Sequence, residues 1–310
     1  MRARTGPQEK EAHLTKARPV KDHDRTVQMI SRRTFLAAAC AALPAAGAKR
    51  RFPGALGLAI YSLRYDAEKD LPGTLANIRK LGFKDVEVGG LFGRSTAEFR
   101  RLLDANGLKA TSMSADYPQL RNAIGRVAED AHVLGAEYVV CSTVPHKQKH
   151  LTAEDCKRAA DDLTGFGEKL LASKLHCCYH THGIEFDPSP DGTLFDGLVK
   201  QTNPKFVNFE MDICWVFYGR QDPAAMLHRY PGRFPLMHVK DLRKGVPLGG
   251  SPGNVNEEDS VVFGKGVVDI PAALRAGVAT GVRHYYLEDE AVDASRQIPE
   301  SLRYLETIGV

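Results

Sequence analysis

Cysteine is sparse and follows no pairing pattern. The chain has six, Cys40, Cys141, Cys156, Cys177, Cys178 and Cys214, none in a CxxC spacing. Cys40 lies in a leader-like segment, and the other five make an odd number without framework spacing, which excludes a disulfide-stapled scaffold. Cys141, Cys177, Cys178 and Cys214 sit in apolar strand-like runs and are expected to be small buried side chains. A charge of one sign is also missing. The net charge is +4, but residues 1–48 hold nine Lys and Arg against four Asp and Glu, so the remainder is near −1. A body that close to neutral gives no support for nucleic-acid binding, which would need a basic stripe. The apolar run Phe35–Ala46 is only about 12 residues long, too short to span a bilayer comfortably as a helix. Finally, there is no Gly-rich phosphate loop after the first strand. Tyr61-Ser62-Leu63-Arg64 stands where GxGxxG would be, which disfavours a doubly wound open sheet.

What is present begins with a targeting signal. Ser31-Arg32-Arg33-Thr34-Phe35-Leu36 opens the short apolar run, which closes on Ala46-Gly47-Ala48. A paired arginine, a short apolar stretch and an A-x-A site fit a twin-arginine export peptide. Residues 1–48 are therefore expected to be a leader and the protein periplasmic, with no stable membrane anchor after cleavage. The polar residues before Met29 are unpatterned, and Met29 reads as the more natural start.

From residue 52 to 310 the chain alternates short apolar runs with amphipathic segments. The predicted strands are Leu56–Tyr61, Asp85–Val88, Leu108–Met113, Tyr138–Cys141, Leu175–His180, Phe206–Asp212, Phe234–Val239 and His284–Glu288. Predicted helices include Pro72–Leu81, Ser95–Asn106, Ala153–Leu171 and Pro299–Ile308, with polar starts and glycine stops where caps belong. Eight strands alternating with helices predict an α/β fold, a single (β/α)8 TIM barrel. The stretch Leu242–Phe263 reads as a mobile loop after the seventh strand, on the face where such barrels place their active sites.

Four successive strand ends carry metal-capable side chains: His180, Asp212, His238 and Glu288. A histidine at a strand end is often simply hydrogen bonded, and an aspartate there often caps the next helix. Four in succession on one rim point instead to one divalent cation, Mn, Zn, Co, Mg or Fe, in a mixed nitrogen and oxygen shell. Tyr61, Glu87, Trp215 and Lys240 are candidate contacts to a small carbohydrate, and Phe217 is a further stacking candidate. Arg64 and Arg220 are possible anion contacts.

Several stretches resemble the xylose-isomerase-like sugar phosphate isomerase/epimerase family. They are Leu56–Arg64, Gly82–Glu87, Tyr179-His180-Thr181-His182-Gly183-Ile184-Glu185-Phe186, Met211–Trp215 and Tyr230–Asp241, in the expected order. The resemblance implies metal ligands at the ends of strands five to eight, often Glu, Asp, His and Glu. Asp212, His238 and Glu288 match the last three, and His180 replaces the first. That first Glu commonly also moves a proton, so the resemblance sends the search for a base to Glu185, His182 and Glu288, with Lys240 able to polarise a carbonyl. Lys265 stands where related sequences often have Glu. The implied reaction is isomerisation or epimerisation of a keto-sugar through an enediolate. Two alternatives stay open: a 3-keto-glycoside lyase or hydratase acting by β-elimination, and a carbohydrate-binding barrel without catalysis. A three-metal abasic-site endonuclease shares the barrel but needs more ligands and a basic face.

Overall fold

Runs rich in β-branched and aromatic side chains suit a pleated, buried surface, and the capped segments between them suit helices. The computed structural model describes residues 55–147, 150–190, 192–249 and 255–308. The predicted leader, its paired arginines and residues 250–254 lie outside them. Eight parallel strands close into a barrel. They are β1 (Ala55–Ala59), β2 (Asp85–Val88), β3 (Lys109–Ala115), β4 (Tyr138–Cys141), β5 (His176–His180), β6 (Val207–Asp212), β7 (Leu236–Val239) and β8 (His284–Leu287). Each pairs with its neighbours in chain order and β8 closes on β1, which makes the fold the expected (β/α)8 barrel.

Successive side chains of a strand point to opposite faces, and in β4 to β8 this parity sorts the residues by number. Val139, Cys177, Tyr179, Phe209, Met211, Met237, Val239, Tyr285 and Leu287 belong to the large core between strands and helices. Tyr138, Val140, Cys178, Leu236 and Tyr286 form a separate apolar cluster with Ala59 in the barrel interior. Even-numbered residues on these strands thus face the barrel axis. Gly57 makes room for this layer: a Cβ there would lie 2.9 Å from the Tyr286 ring.

Local signals set the helix boundaries. Ser95 and Glu98 make a reciprocal cap for the helix Thr96–Ala105, and Thr152 and Asp155 do so for Ala153–Ala172. The last helix departs from expectation. It runs Ala294–Thr307 with Pro299 inside it, instead of starting at the proline. The buried side chains Ala294, Ile298 and Ser301 extend its packed face ahead of Pro299, and packing outweighs the missing N–H. The segment Leu242–Phe263 is not irregular throughout. Asp241–Leu242 pairs antiparallel with Ser260–Val261, and the Asp241 carboxylate accepts from the N–H groups of Leu242, Gly264, Gly266 and Val268. Cys214 lies in the first turn of the short helix Ile213–Tyr218 instead of in a strand. It and the other described cysteines are free and buried.

Helix Ala153–Ala172 presses its Gly167 against β6. A Cβ at that position would lie 2.1 Å from the Phe206 carbonyl oxygen. Gly167→Ala therefore has to push the helix off the barrel and is expected to cost about 1–3 kcal/mol, measurable by urea denaturation. An unchanged midpoint would show that this contact yields freely.

Candidate metal centre

Inward parity delivers the predicted ligands to one rim. His180 ends β5, Asp212 ends β6, His238 lies in β7 and Glu288 follows β8. Register brings them side by side: His180 is opposite Glu210, and Asp212 and Tyr286 are opposite His238. All four predicted ligands are buried. Ligand atoms of His180, Asp212 and His238 all lie within 4.8 Å of one another.

The hydrogen bonds assign each side chain's free atom. His180 Nδ1 is 2.8 Å from Glu210 Oε2; as a donor there it leaves Nε2 with a lone pair, 3.9 Å from Asp212 Oδ2. Asp212 Oδ1 accepts from the backbone N–H groups of Cys214 at 2.8 Å and Trp215 at 3.0 Å, so the aspartate does cap the next helix. Its other oxygen, Oδ2, is buried without a hydrogen-bond partner. His238 Nε2 is 2.7 Å from Glu87 Oε1. Its Nδ1 lies 3.1 Å from Glu288 Oε2 but out of line for a hydrogen bond, and is likewise unpartnered. Unpartnered buried polar atoms are costly, and these two belong to residues whose ligand atoms cluster within 4.8 Å.

Electrostatics agrees with this reading. Burial and the neighbouring His182 and His238 hold the His180 imidazole well below the usual histidine range, hence neutral. Burial opposes charge on His238 as well. Yet Glu210, Glu288 and Glu87 raise it well above that range. A proton on His238 thus supplies positive charge beside the Glu87 and Glu288 carboxylates, while burial and then Glu87 push Glu210 well above the usual carboxylate range. Burial and then Glu288 push Asp212 up to about 7, against the pull of Lys240 and His238. A divalent cation suits this donor set. It would satisfy Asp212 Oδ2 and His238 Nδ1 together and displace the His238 proton. Glu87 and Glu210 would then orient the two imidazoles from behind, as carboxylates commonly do for metal-bound histidine.

Other predicted residues fall into three groups. His182, Trp215, Tyr61 and Glu87 line the same cavity of about 590 Å³ as His180, His238 and Glu288. His182 Nδ1 is buried without a partner, and burial, with the nearby Lys240 charge, lowers its imidazole to about 4. Glu87 is committed, since its second oxygen accepts from Ser112 Oγ at 2.6 Å. Lys240 is buried at the centre's edge, 2.6 Å from Glu290, 3.5 Å from Glu288 and 3.9 Å from Asp212, with its ammonium 4.9 Å from the Trp215 ring centroid.

Glu185 is not brought to the cavity. It is fully buried, accepting from the hydroxyl of Tyr179, an outward-facing residue of β5, and from the backbone N–H of His182. Phe217 packs against the main core. Arg64 and Arg220 serve the protein itself, bonding Glu257 and the Glu290 carbonyl, and the Leu248 carbonyl. Lys265 pairs with Glu300 outside the cavity. Two carboxylates that the sequence reading passed over are central. Glu210 contacts both histidines, and Glu290 tethers Lys240. Glu210 sits two residues before Asp212, on the same face of β6, and that spacing was the available signal.

If Glu87 orients a metal-binding imidazole, Glu87→Gln weakens the centre without emptying it. Metal affinity should fall roughly 10–100-fold in competition with a chromophoric chelator. An unaltered affinity would remove Glu87 from that role.

Comparison with known proteins places the chain in context. The model of the xylose isomerase-like TIM barrel family matches residues 75–308. An inosose dehydratase of Bacillus anthracis is 24% identical over 202 residues, covering 58% of this chain and 66% of that protein. The match therefore spans slightly less than two thirds of the relative's length. A sugar phosphate isomerase/epimerase of Parabacteroides distasonis superposes with a TM-score of 0.68 at 21% identity, covering 81% of this chain and 97% of that one. The IOLI protein, solved with a zinc atom, gives a TM-score of 0.62 at 17% identity, covering 81% and 94%. At these identities the structural likeness speaks for the fold.

Proposed function

The chain belongs to the xylose isomerase-like TIM barrel family, and from that premise we propose that it is a divalent-metal-dependent enzyme that removes the proton beside a ketone of an uncharged carbohydrate. The carrying observation is that His180, Asp212 and His238 bring ligand atoms within 4.8 Å of one another, with Asp212 Oδ2 and His238 Nδ1 buried and unpartnered and the Glu288 carboxylate 3.1 Å from His238 Nδ1. His180, Asp212, His238 and Glu288 would hold the ion. When bound, it supplies Lewis acidity toward a substrate carbonyl and its neighbouring hydroxyl.

The remaining work falls to side chains. His182, neutral and lining the cavity, accepts the proton from the carbon beside the ketone. Lys240 does not line the cavity; buried next to Glu288 and Glu290, it keeps its charge there and offsets from behind them the negative charge that develops at the centre. Tyr61 and Trp215 offer ring faces for a sugar at the mouth.

Two fates follow proton removal. Expulsion of a β-leaving group forms a carbon–carbon double bond as the carbon–oxygen bond breaks. The dehydratase relatives favour this outcome, which makes the protein a lyase or hydratase. Reprotonation instead gives isomerisation or epimerisation; the structural neighbour of that name supports it as the second reading. Solvent-deuterium exchange into keto-sugars and 3-keto-glycosides, with aglycone release followed in parallel, separates the cases. Release identifies elimination, and exchange alone identifies isomerase or epimerase. Neither, in metal-loaded protein that still binds sugar, would leave a binding barrel. From the paired arginines Arg32 and Arg33 we also propose export of the folded enzyme; accumulation of an Arg32→Lys/Arg33→Lys variant in the cytoplasm would support it.

A further inference from the structure

The cavity runs well past the metal centre. Its metal-capable end stands on β5 to β8, while the opposite side of the mouth is lined from β2 to β4 and the loops that follow them. There Leu91, Met113 and Val140 make an apolar wall, and Ser114, Ser142 and Asp116 supply polar groups. Ser114 lies on β3, in register with Val140 of β4; Ser142 follows Cys141, which pairs with Ala115. The two half-buried serines thus stand on adjacent strand ends. Neither hydroxyl has a hydrogen-bond partner among the described residues. An apolar wall facing free hydroxyls matches a sugar ring or a small aglycone, whose C–H face is apolar and whose rim is polar.

Size and charge narrow the class. A volume of about 590 Å³ falls within the range of roughly 300–1,000 Å³ that houses drug-sized ligands, and one pyranose ring fills only part of it. Among the described residues no Lys or Arg lines the cavity, whereas Glu87, Asp116, Asp130, Glu210, Glu288 and Glu290 do. A phosphate or carboxylate on the substrate would meet that field with no partner cation away from the metal centre.

We infer that the β2–β4 side is a second subsite, holding the uncharged second half of a glycoside while the first ring meets the metal centre. The substrate class is a neutral two-part glycoside, in preference to a free or phosphorylated monosaccharide. This rests on the function proposed above, which it makes specific.

Calorimetric titration of the manganese-loaded full chain with cellobiose, glucose and glucose 6-phosphate tests it. Cellobiose should bind at least about tenfold tighter than glucose, and glucose 6-phosphate no tighter than glucose. Ser142→Phe, which fills the subsite, should abolish the preference for cellobiose. Ser114→Ala, which removes one hydroxyl and little volume, should reduce it severalfold in a protein that folds normally by circular dichroism. Equal affinities, tightest binding by glucose 6-phosphate, no binding by any of the three, or a preference untouched by both variants would overturn the subsite. Repeating the titrations without metal keeps the two ideas apart. Failure to bind manganese counts against the metal centre, while the ratio of cellobiose to glucose affinity still decides the subsite.

Discussion

Asp212→Asn should keep the fold and lose the metal. The substitution preserves shape, and an asparagine Oδ1 can still accept from Cys214 N and Trp215 N, so the cap on the helix Ile213–Tyr218 survives. What changes is the inward atom. Oδ2, buried and unpartnered, becomes an NH2 group that cannot donate an electron pair to a cation. Metal content should drop from about one ion per chain to near zero, and turnover should fall on the order of 10³-fold or more, the scale of losing a preorganised electrostatic partner. The melting temperature of the metal-free protein should move little, because the variant also removes a carboxyl group that ionises near neutrality in a buried site. Full metal content with full activity would contradict the assignment of Asp212.

Lys240→Met should have the largest effect on stability. Lys240 is 1% exposed, and its ammonium lies between Glu290 at 2.6 Å, Glu288 at 3.5 Å and Asp212 at 3.9 Å. Methionine roughly matches the stem but removes the charge, leaving the buried Asp212 and Glu288 carboxylates and the partly exposed Glu290 without their shared cation. Breaking a buried ion pair by deleting one partner costs about 3–5 kcal/mol. The loss should be read by denaturant unfolding of chelator-treated protein. Added manganese should restore a large part of it, because the ion supplies positive charge to the same carboxylates. A variant as stable as the parent without metal would show that Glu288 and Glu290 do not depend on Lys240.

Much of this centre was legible in the sequence, for a definable reason. Each strand brings its C-terminal residues to the same rim, so His180, Asp212, His238 and Glu288 could be grouped without knowing any distance. The cysteines were legible too: burial pushes the thiols of Cys141, Cys156, Cys177, Cys178 and Cys214 up, as expected of inert core groups. Which way a residue just beyond a strand points was harder to read. Glu185 lies only five residues after His180, yet it turns to Tyr179 on the outer face. Parity would have exposed Glu210, since position 210 shares the face of position 212. The link between Lys240 and Glu290 spans 50 residues and depends on β7 and β8 being neighbours, which local pattern does not encode. The subsite serines carry no local signal either, because a serine at a strand end is unremarkable until the cavity beside it is seen. The start of the last helix was misplaced at Pro299 because proline favours a first turn, whereas the apolar face ahead of it decided the matter.

The central claim is that one divalent ion is held at the barrel mouth by groups from the last four strands. Anomalous diffraction at the manganese edge from crystals grown with that ion tests it most directly. The predicted result is a single strong peak contacted by His180 Nε2, Asp212 Oδ2, His238 Nδ1 and the Glu288 carboxylate, with Glu87 and Glu210 bonded to the far nitrogens of the two imidazoles. A peak elsewhere, or none at saturating manganese, would contradict it.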